Sequence, residues 1–162
     1  MTQRLLVVVA VLSVLAAAFA GWSWWRAASD DSFARGRERD AILAAAGPAL
    51  VTLNTIDYRT AAADVDRWMA ATTGQYGKDL SGDRQLQIDR AAAARTVSSA
   101  ALVQAAVTEI DVPRGTARLL AVLDVRVSTA GAPAAPRLNR LTVDVSRSPD
   151  GWKIAAVQAA GS

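Results

Sequence analysis

Residues 116–129 read Thr116-Ala117-Arg118-Leu119-Leu120-Ala121-Val122-Leu123-Asp124-Val125-Arg126-Val127-Ser128-Thr129. Leu119, Ala121, Leu123, Val125 and Val127 take every second position, and Arg118, Asp124, Arg126 and Ser128 mark the other face. A period of two sends alternate side chains to opposite sides of an extended chain, so this stretch is a strand with one buried and one wet face. Upstream, from Val97, Leu102, Gln104, Ala106 and Thr108 alternate with Ala101, Val103, Ala105 and Val107, and Val112-Pro113-Arg114-Gly115 supplies a turn between the two strands. Downstream, Gly131 to Pro136 is an exposed loop. A third strand then sets Leu141, Val143 and Val145 inward and Arg140, Thr142, Asp144 and Ser146 outward. Ser148-Pro149-Asp150-Gly151 is a hairpin turn, after which Trp152, Ile154 and Ala156 alternate with Lys153, Ala155 and Val157. Four strands joined as successive antiparallel neighbours follow from this pattern.

Before Val97 the period is helical. Ser29-Asp30-Asp31-Ser32 offers N-cap candidates for a helix from Phe33 to Ala46. Its charge density and Gly36 predict a solvated helix rather than core, ended at Gly47-Pro48. Ala49 to Tyr58 places Leu50, Leu53, Asn54 and Asp57 at helical spacing. Thr60 is a candidate cap for a helix from Ala61 to Thr73, whose Val65, Trp68, Met69 and Thr72 form one stripe, with Gly74 as the left-handed residue that ends it. Gly77, Lys78, Ser81 and Gly82 mark a loop, and Asp83 to Arg95 reads as a further helix with Leu86, Arg90, Ala93 and Val97 along one side. Helices first and a strand meander second define an α+β fold, with about three helices packed on a bent antiparallel four-strand sheet.

The chain opens differently. Leu5 to Ala20 is apolar apart from Ser13, and Gly21-Trp22-Ser23-Trp24-Trp25 extends the run to the length of a bilayer's hydrocarbon core, roughly 30 Å. Trp22, Trp24 and Trp25, followed by Arg26, have the composition of a membrane-interface belt. A cleaved signal peptide is the competing reading, with Ala18-Phe19-Ala20 as its cleavage site. That product would begin at Gly21 with a cluster of tryptophans in water, so the retained anchor is favoured. Residues 1–4 are then a cytoplasmic tail, 5–25 a transmembrane anchor, 26–47 a juxtamembrane helix and 48–162 an exported domain. The expected topology is single-pass in the inner membrane, N-terminus in, domain extracytoplasmic. Ala17 and Gly21 lie in a small-residue segment that would let another transmembrane helix approach closely.

Composition excludes several chemistries. Among 162 residues there is no His and no Cys. Ser–His–Asp and Cys–His catalysis are therefore absent, as are thiolate metal sites. The formal charge is +3, but basic and acidic residues alternate (Arg35, Arg37, Glu38, Arg39, Asp40; Asp64, Asp66, Arg67), unlike the clustered basic face that nucleic acid requires. No nucleic-acid partner, cofactor or metal is expected. Asp57 and Tyr58 could serve as base and oxyanion donor in a steroid-isomerase-like site. As neighbours on a helix their side chains diverge by about 100°, so no catalytic role is assigned. Asp124 and Asp144 are explained by cross-strand pairing among Arg118, Arg126 and Arg140.

Leu53-Asn54-Thr55-Ile56-Asp57-Tyr58-Arg59, Asp64-Val65-Asp66, Thr72-Thr73-Gly74-Gln75-Tyr76 and Asp150-Gly151-Trp152-Lys153, in this order, resemble the signature of actinobacterial Mce-associated membrane proteins. The resemblance runs over roughly residues 5–158, with Tyr76 where many relatives carry phenylalanine. It implies an exported domain of the NTF2-like (cystatin-like) type and a non-enzymatic accessory subunit of an Mce-type importer of fatty acids or sterols. Protein partners in that transporter, and contact with lipid, are implied with it. Asp57, Tyr58, Asp64, Thr73, Gly74, Tyr76, Gly151 and Trp152 are then structural or partner-contact positions. The alternative is a VirB8-like assembly component of a secretion or conjugation channel; a ketosteroid-isomerase-like enzyme or lipid-binding domain comes third.

Overall fold

The computed structural model describes the backbone of residues 2–160 and the side chains of 13, 15–26 and 33–160. The elements are α1 (Thr2–Leu53), β1 (Ile56–Asp57), α2 (Ala61–Ala71), α3 (Gly74–Gly82), α4 (Arg84–Ala94), β2 (Val97–Asp111), β3 (Thr116–Ser128), β4 (Ala135–Ser148) and β5 (Gly151–Ala159). The chain divides into two compact units, Met1–Glu38 and Arg39–Ser162.

In the first unit every described side chain from 15 to 26 is exposed. Among the described residues no helix is long and apolar enough to cross a membrane. Most of the expected anchor, 5–12 and 14, lies outside the residues whose side chains are described, as do the capping candidates Ser29, Asp30, Asp31 and Ser32. No helix begins at those four, since α1 passes through them without interruption.

The second unit is the α+β body. Its sheet has the order β1-β2-β3-β4-β5, antiparallel throughout. The meander is thus as the alternation predicts, with one strand more. Ile56 and Asp57, expected in a helix, pair with Ser98 and Val97 as β1. The expected end of the helix at Gly47-Pro48 is also absent, for α1 continues through Pro48 to Leu53. An internal proline costs a helix about 3 kcal/mol, and here packing outweighs it. Ile42, Ala46 and Leu50, one stripe at i, i+4 and i+8, are buried with Leu119, Leu123, Val143, Val145 and Ile154. Each fully buried Leu, Ile or Val contributes about 1.5–3 kcal/mol. Pro48 is exposed, so the carbonyl it leaves unpaired can meet water. The segment expected to be a solvated juxtamembrane helix therefore supplies core, and the compact body begins at Arg39 rather than Pro48. At Gly47 a Cβ would lie 3.1 Å from Leu102 Cδ2, the closeness with which this helix meets β2.

Further expectations are corrected. Residues 74–82, expected as a loop, form α3, and α2 ends at Ala71 rather than Thr73. Gly74 is left-handed (φ +66°) but opens α3 instead of closing α2. On α4 the buried residue is Ala91, and Leu86 is exposed. The strict alternation of β2 is interrupted by bulges between Leu102 and Gln104 and between Val107 and Glu109. The extra residues let Ala100, Ala105, Val107 and Ile110 all pack on the core, and bulges of this kind bend a sheet. A bulge opposite Asp144/Val145 likewise turns Val157, rather than Ala156, toward the core.

Candidate functional site

The signature residues gather in two places. The first is the corner where α1 ends and α2 begins. The last carbonyls of a helix have no partner within it, and here side chains supply one. Trp68 Nε1 donates to the carbonyls of Thr52 at 2.8 Å and Thr55 at 3.1 Å. Ser98 Oγ donates to that of Asn54 at 2.8 Å. Asp64, only 2% exposed, is the hub. Its Oδ2 accepts the backbone N–H of Asp57 at 2.8 Å and the Thr60 hydroxyl at 3.1 Å, and its Oδ1 pairs with Arg67. A second hydrophobic cluster of Ile56, Ala61, Val65 and Ala91, with Tyr58, Trp68 and Ile88 against it, closes over these bonds.

Asp57 and Tyr58 do not converge. On a strand end, Ile56 and Tyr58 share the face that joins the cluster, and Asp57 points the other way. The Asp57 carboxylate instead accepts the N–H of Arg59 at 2.9 Å, with the Arg59 guanidinium at 3.5 Å. That guanidinium also lies 5.0 Å from the centroid of the Tyr58 ring. The acid–base pair considered from the sequence is thus spent on a local turn, for a different geometric reason than the helical divergence expected.

The second place is the α2–α3 corner against β5. Thr72 bridges Ile154 in parallel, and Thr73 N–H donates to the Ile154 carbonyl at 2.8 Å. The Thr72 hydroxyl turns back to the carbonyl of Trp68 at 3.0 Å. Tyr76 packs on the main core, where burial pushes its hydroxyl pKa up. Gly151 (φ +109°) takes the hairpin position only glycine fills without strain. Next to it the half-buried Trp152 has the Arg147 guanidinium 5.1 Å from its ring centroid. A groove of about 360 Å³ runs along this corner past Met69, Thr73, Gly74 and Lys78.

A concavity of about 280 Å³ at one end of the sheet is lined by Glu109, Asp111, Arg114, Arg118 and Asp144 among others. Its charges answer one another. Arg118 Nε donates to Asp144 Oδ1 at 2.8 Å, which holds the guanidinium pKa up. The Arg114 backbone N–H and guanidinium hold the Asp111 carboxyl below its usual range. Outside this concavity Asp124 meets Arg126 at 3.6 Å along β3, not across strands as expected, because its cross-strand neighbours are Ala101 and Leu138. Among the described residues no cluster of three or more acidic side chains could hold a metal ion. Trp22, Trp24, Trp25 and Arg26 are exposed on α1, and Gly21 has open space around its Cα, as Ala17 has around its side chain. Trp68, Thr60 and Arg67 were not singled out as functional from the sequence; the Thr60-to-Asp64 spacing at a helix start was the available signal.

The folded body and its site define an α+β domain whose signature polar groups are bound to its own backbone. A family model described as "Uncharacterized protein Rv1363c/MT1408-like" matches residues 3–160, and the chain belongs to that family. Association with Mce is not part of that description. No curated protein matches the chain. Among solved structures it is similar to the periplasmic domain of DotI (TM-score 0.62, 17% identity, 76% of this chain and 95% of that one). It is also similar to CagV, a VirB8 homolog of T4SS from Helicobacter pylori (TM-score 0.56, 10% identity, 76% and 98%). The intermembrane space region of the chloroplast protein ARC6 has the same fold (TM-score 0.55, 16% identity, 78% and 96%).

Proposed function

We propose that the chain is a non-enzymatic assembly component of an envelope-spanning secretion or conjugation complex, held in the inner membrane by residues 5–25 with its NTF2-like domain on the outer side. The likeness of the chain, over 76% of its length in each case, to the periplasmic domain of DotI and to CagV carries this reading. The unbroken apolar run Leu5–Ala20 with Trp22, Trp24, Trp25 and Arg26 behind it supports the anchor. Asp57, Asp64 and Thr73 use their polar groups to hold the body together, which suits a scaffold that works by contact. A second reading, an accessory subunit of an Mce-type lipid importer, rests on the Asp57-Tyr58 and Thr73-Gly74-Gln75-Tyr76 signature. Affinity purification of the full chain from native membranes, with its companions identified by mass spectrometry, separates the two. Secretion-channel components carry the first reading; Mce-type permease and substrate-binding subunits replace it with the second. Recovery of the chain from the soluble fraction, beginning at Gly21, ends both.

A further inference from the structure

Two contacts fix the direction in which α1 enters the body. Near its end, the Asn54 carbonyl accepts the Ser98 hydroxyl at 2.8 Å, at the start of β2. Further back, a Cβ at Gly47 would lie 3.1 Å from Leu102 Cδ2. Going back along α1 thus means going forward along β2, toward the end of the sheet where both hairpin turns project. There Val112-Pro113-Arg114 leads from β2 to β3 and Pro149-Asp150 from β4 to β5, and the Arg147 N–H donates to the Gly115 carbonyl at 2.8 Å. Val112 is 45% exposed, and Pro113 and Pro149 are exposed at the same end. Each carboxylate here has a base against it: Asp111 has Arg114, Asp150 has Lys153, and Glu109 and Asp144 share Arg118.

We propose that this turn end, with Val112 and Pro113 foremost, rests on the headgroup layer of the membrane that holds residues 5–25. The inference rests on that anchor and on neither of the two complexes. From Gly47 back to Arg26, α1 runs roughly 32 Å at the ordinary helical rise. From Leu102 on to Val112 the chain runs roughly 26–33 Å as strand, its bulges allowed for. The two lengths start from one contact and agree, which puts the turn within reach of the headgroups that the interfacial tryptophans occupy. Three apolar side chains hold a free protein poorly, but a tethered one meets the surface at a high effective concentration. Proline suits the task, since it carries no backbone N–H to strand away from water. The carboxylates, being paired, add little repulsion from anionic headgroups.

The chain has no cysteine, so a single introduced thiol carries a single fluorophore. The full chain is reconstituted in phosphatidylcholine vesicles containing lipids with a nitroxide quencher on the headgroup. Label at Val112→Cys is expected to be quenched several-fold more than label at Leu138→Cys, which is 68% exposed on β4 and pairs with Asp124, away from the turns. Ser23→Cys, among the tryptophans, marks the quenching of the anchor. On the Val112→Cys background, Pro113→Asp lowers the quenching toward the Leu138→Cys level. A Val112→Cys chain quenched no more than Leu138→Cys, while Ser23→Cys is quenched, overturns the proposal and leaves the anchor standing. So does quenching at Val112→Cys that Pro113→Asp leaves unchanged. An unquenched Ser23→Cys removes the anchor, and the proposal falls with it.

Discussion

Residues 15–25 and residues 42–50 belong to the same helix and both are rich in apolar side chains. Yet Leu15, Phe19, Trp22, Trp24 and Trp25 are exposed, while Ile42, Ala46 and Leu50 are buried. The difference lies in how the apolar residues are distributed around the axis. In 42–50 the buried residues recur every four positions, so one stripe meets the sheet and Pro48 is left outside. Leu15 belongs to the run Leu5–Ala20, in which every residue but Ser13 is apolar, so the sequence puts apolar groups all around that helix. No single protein face can cover such a surface, whereas the hydrocarbon of a bilayer can. Apolar content alone therefore decides little; its angular arrangement decides which surroundings a helix needs.

Two substitutions test that contrast directly, and two more test the polar contacts that hold the body beside it. Leu50→Ala empties a fully enclosed site and is expected to cost about 2–5 kcal/mol in denaturant unfolding of the body, with membrane retention unchanged. Loss of both together would mean the two stretches do not act independently. Leu15→Arg places a charge in the apolar run, with an expected insertion cost of about 2.5–3.5 kcal/mol. It should move a substantial fraction of chain from carbonate-washed membranes to the supernatant while the unfolding transition of the body stays where it was. Full retention in the membrane would sink the anchor. Asp64→Ala removes the acceptor of the Asp57 N–H and the Thr60 hydroxyl and is expected to cost about 1–3 kcal/mol. Hydrogen exchange at Asp57 should rise with it; protection unchanged would mean the corner is held by the apolar cluster alone.

The smallest effect belongs to the exposed pair between α2 and α4. Arg84 Nε donates to Asp66 Oδ1 at 2.8 Å, which holds the Asp66 carboxyl below its ordinary range. A carboxylate with a depressed folded-state pKa adds stability above its unfolded value, and that stability is lost as pH falls through the folded one. Both partners are open to solvent, so Arg84→Ala is expected to produce only a slight loss near neutral pH and none in strong acid. An Arg84→Ala chain whose melting curve departs from the parent chiefly in acid would reverse that assignment.

The strand meander was legible because a period of two is a local signal. Leu119, Ala121, Leu123 and Val125 are buried as their spacing requires, and the Ser148–Gly151 turn falls where Pro149 and Gly151 put it. The α1 boundary was not legible. Gly47-Pro48 reads as a stop in any local view, and only the sheet beneath Ile42, Ala46 and Leu50 overrides it. The bulges in β2 and β5 escaped for a related reason. An extra residue leaves no mark in an alanine-rich strand, since either phase of the alternation is apolar. At the candidate site the residue types were visible, but their roles were not. Asp57 and Tyr58 read as helical neighbours and prove to stand at the end of a two-residue strand, whose pairing is fixed by Val97 and Ser98 forty residues on.

By itself the sequence determined the chemistry closed to this protein, the change from a helical to an extended half near Val97, the phase of β3 and β4, and the apolar run at the start. Each of these is set by residue type or by spacing within one element. The tertiary structure decided where α1 stops, that 74–82 is helical, how Asp64 ties β1 to α2, and at which end of the sheet α1 enters. Those outcomes depend on contacts between residues far apart in the chain, and the free energy of such contacts is written in no local pattern.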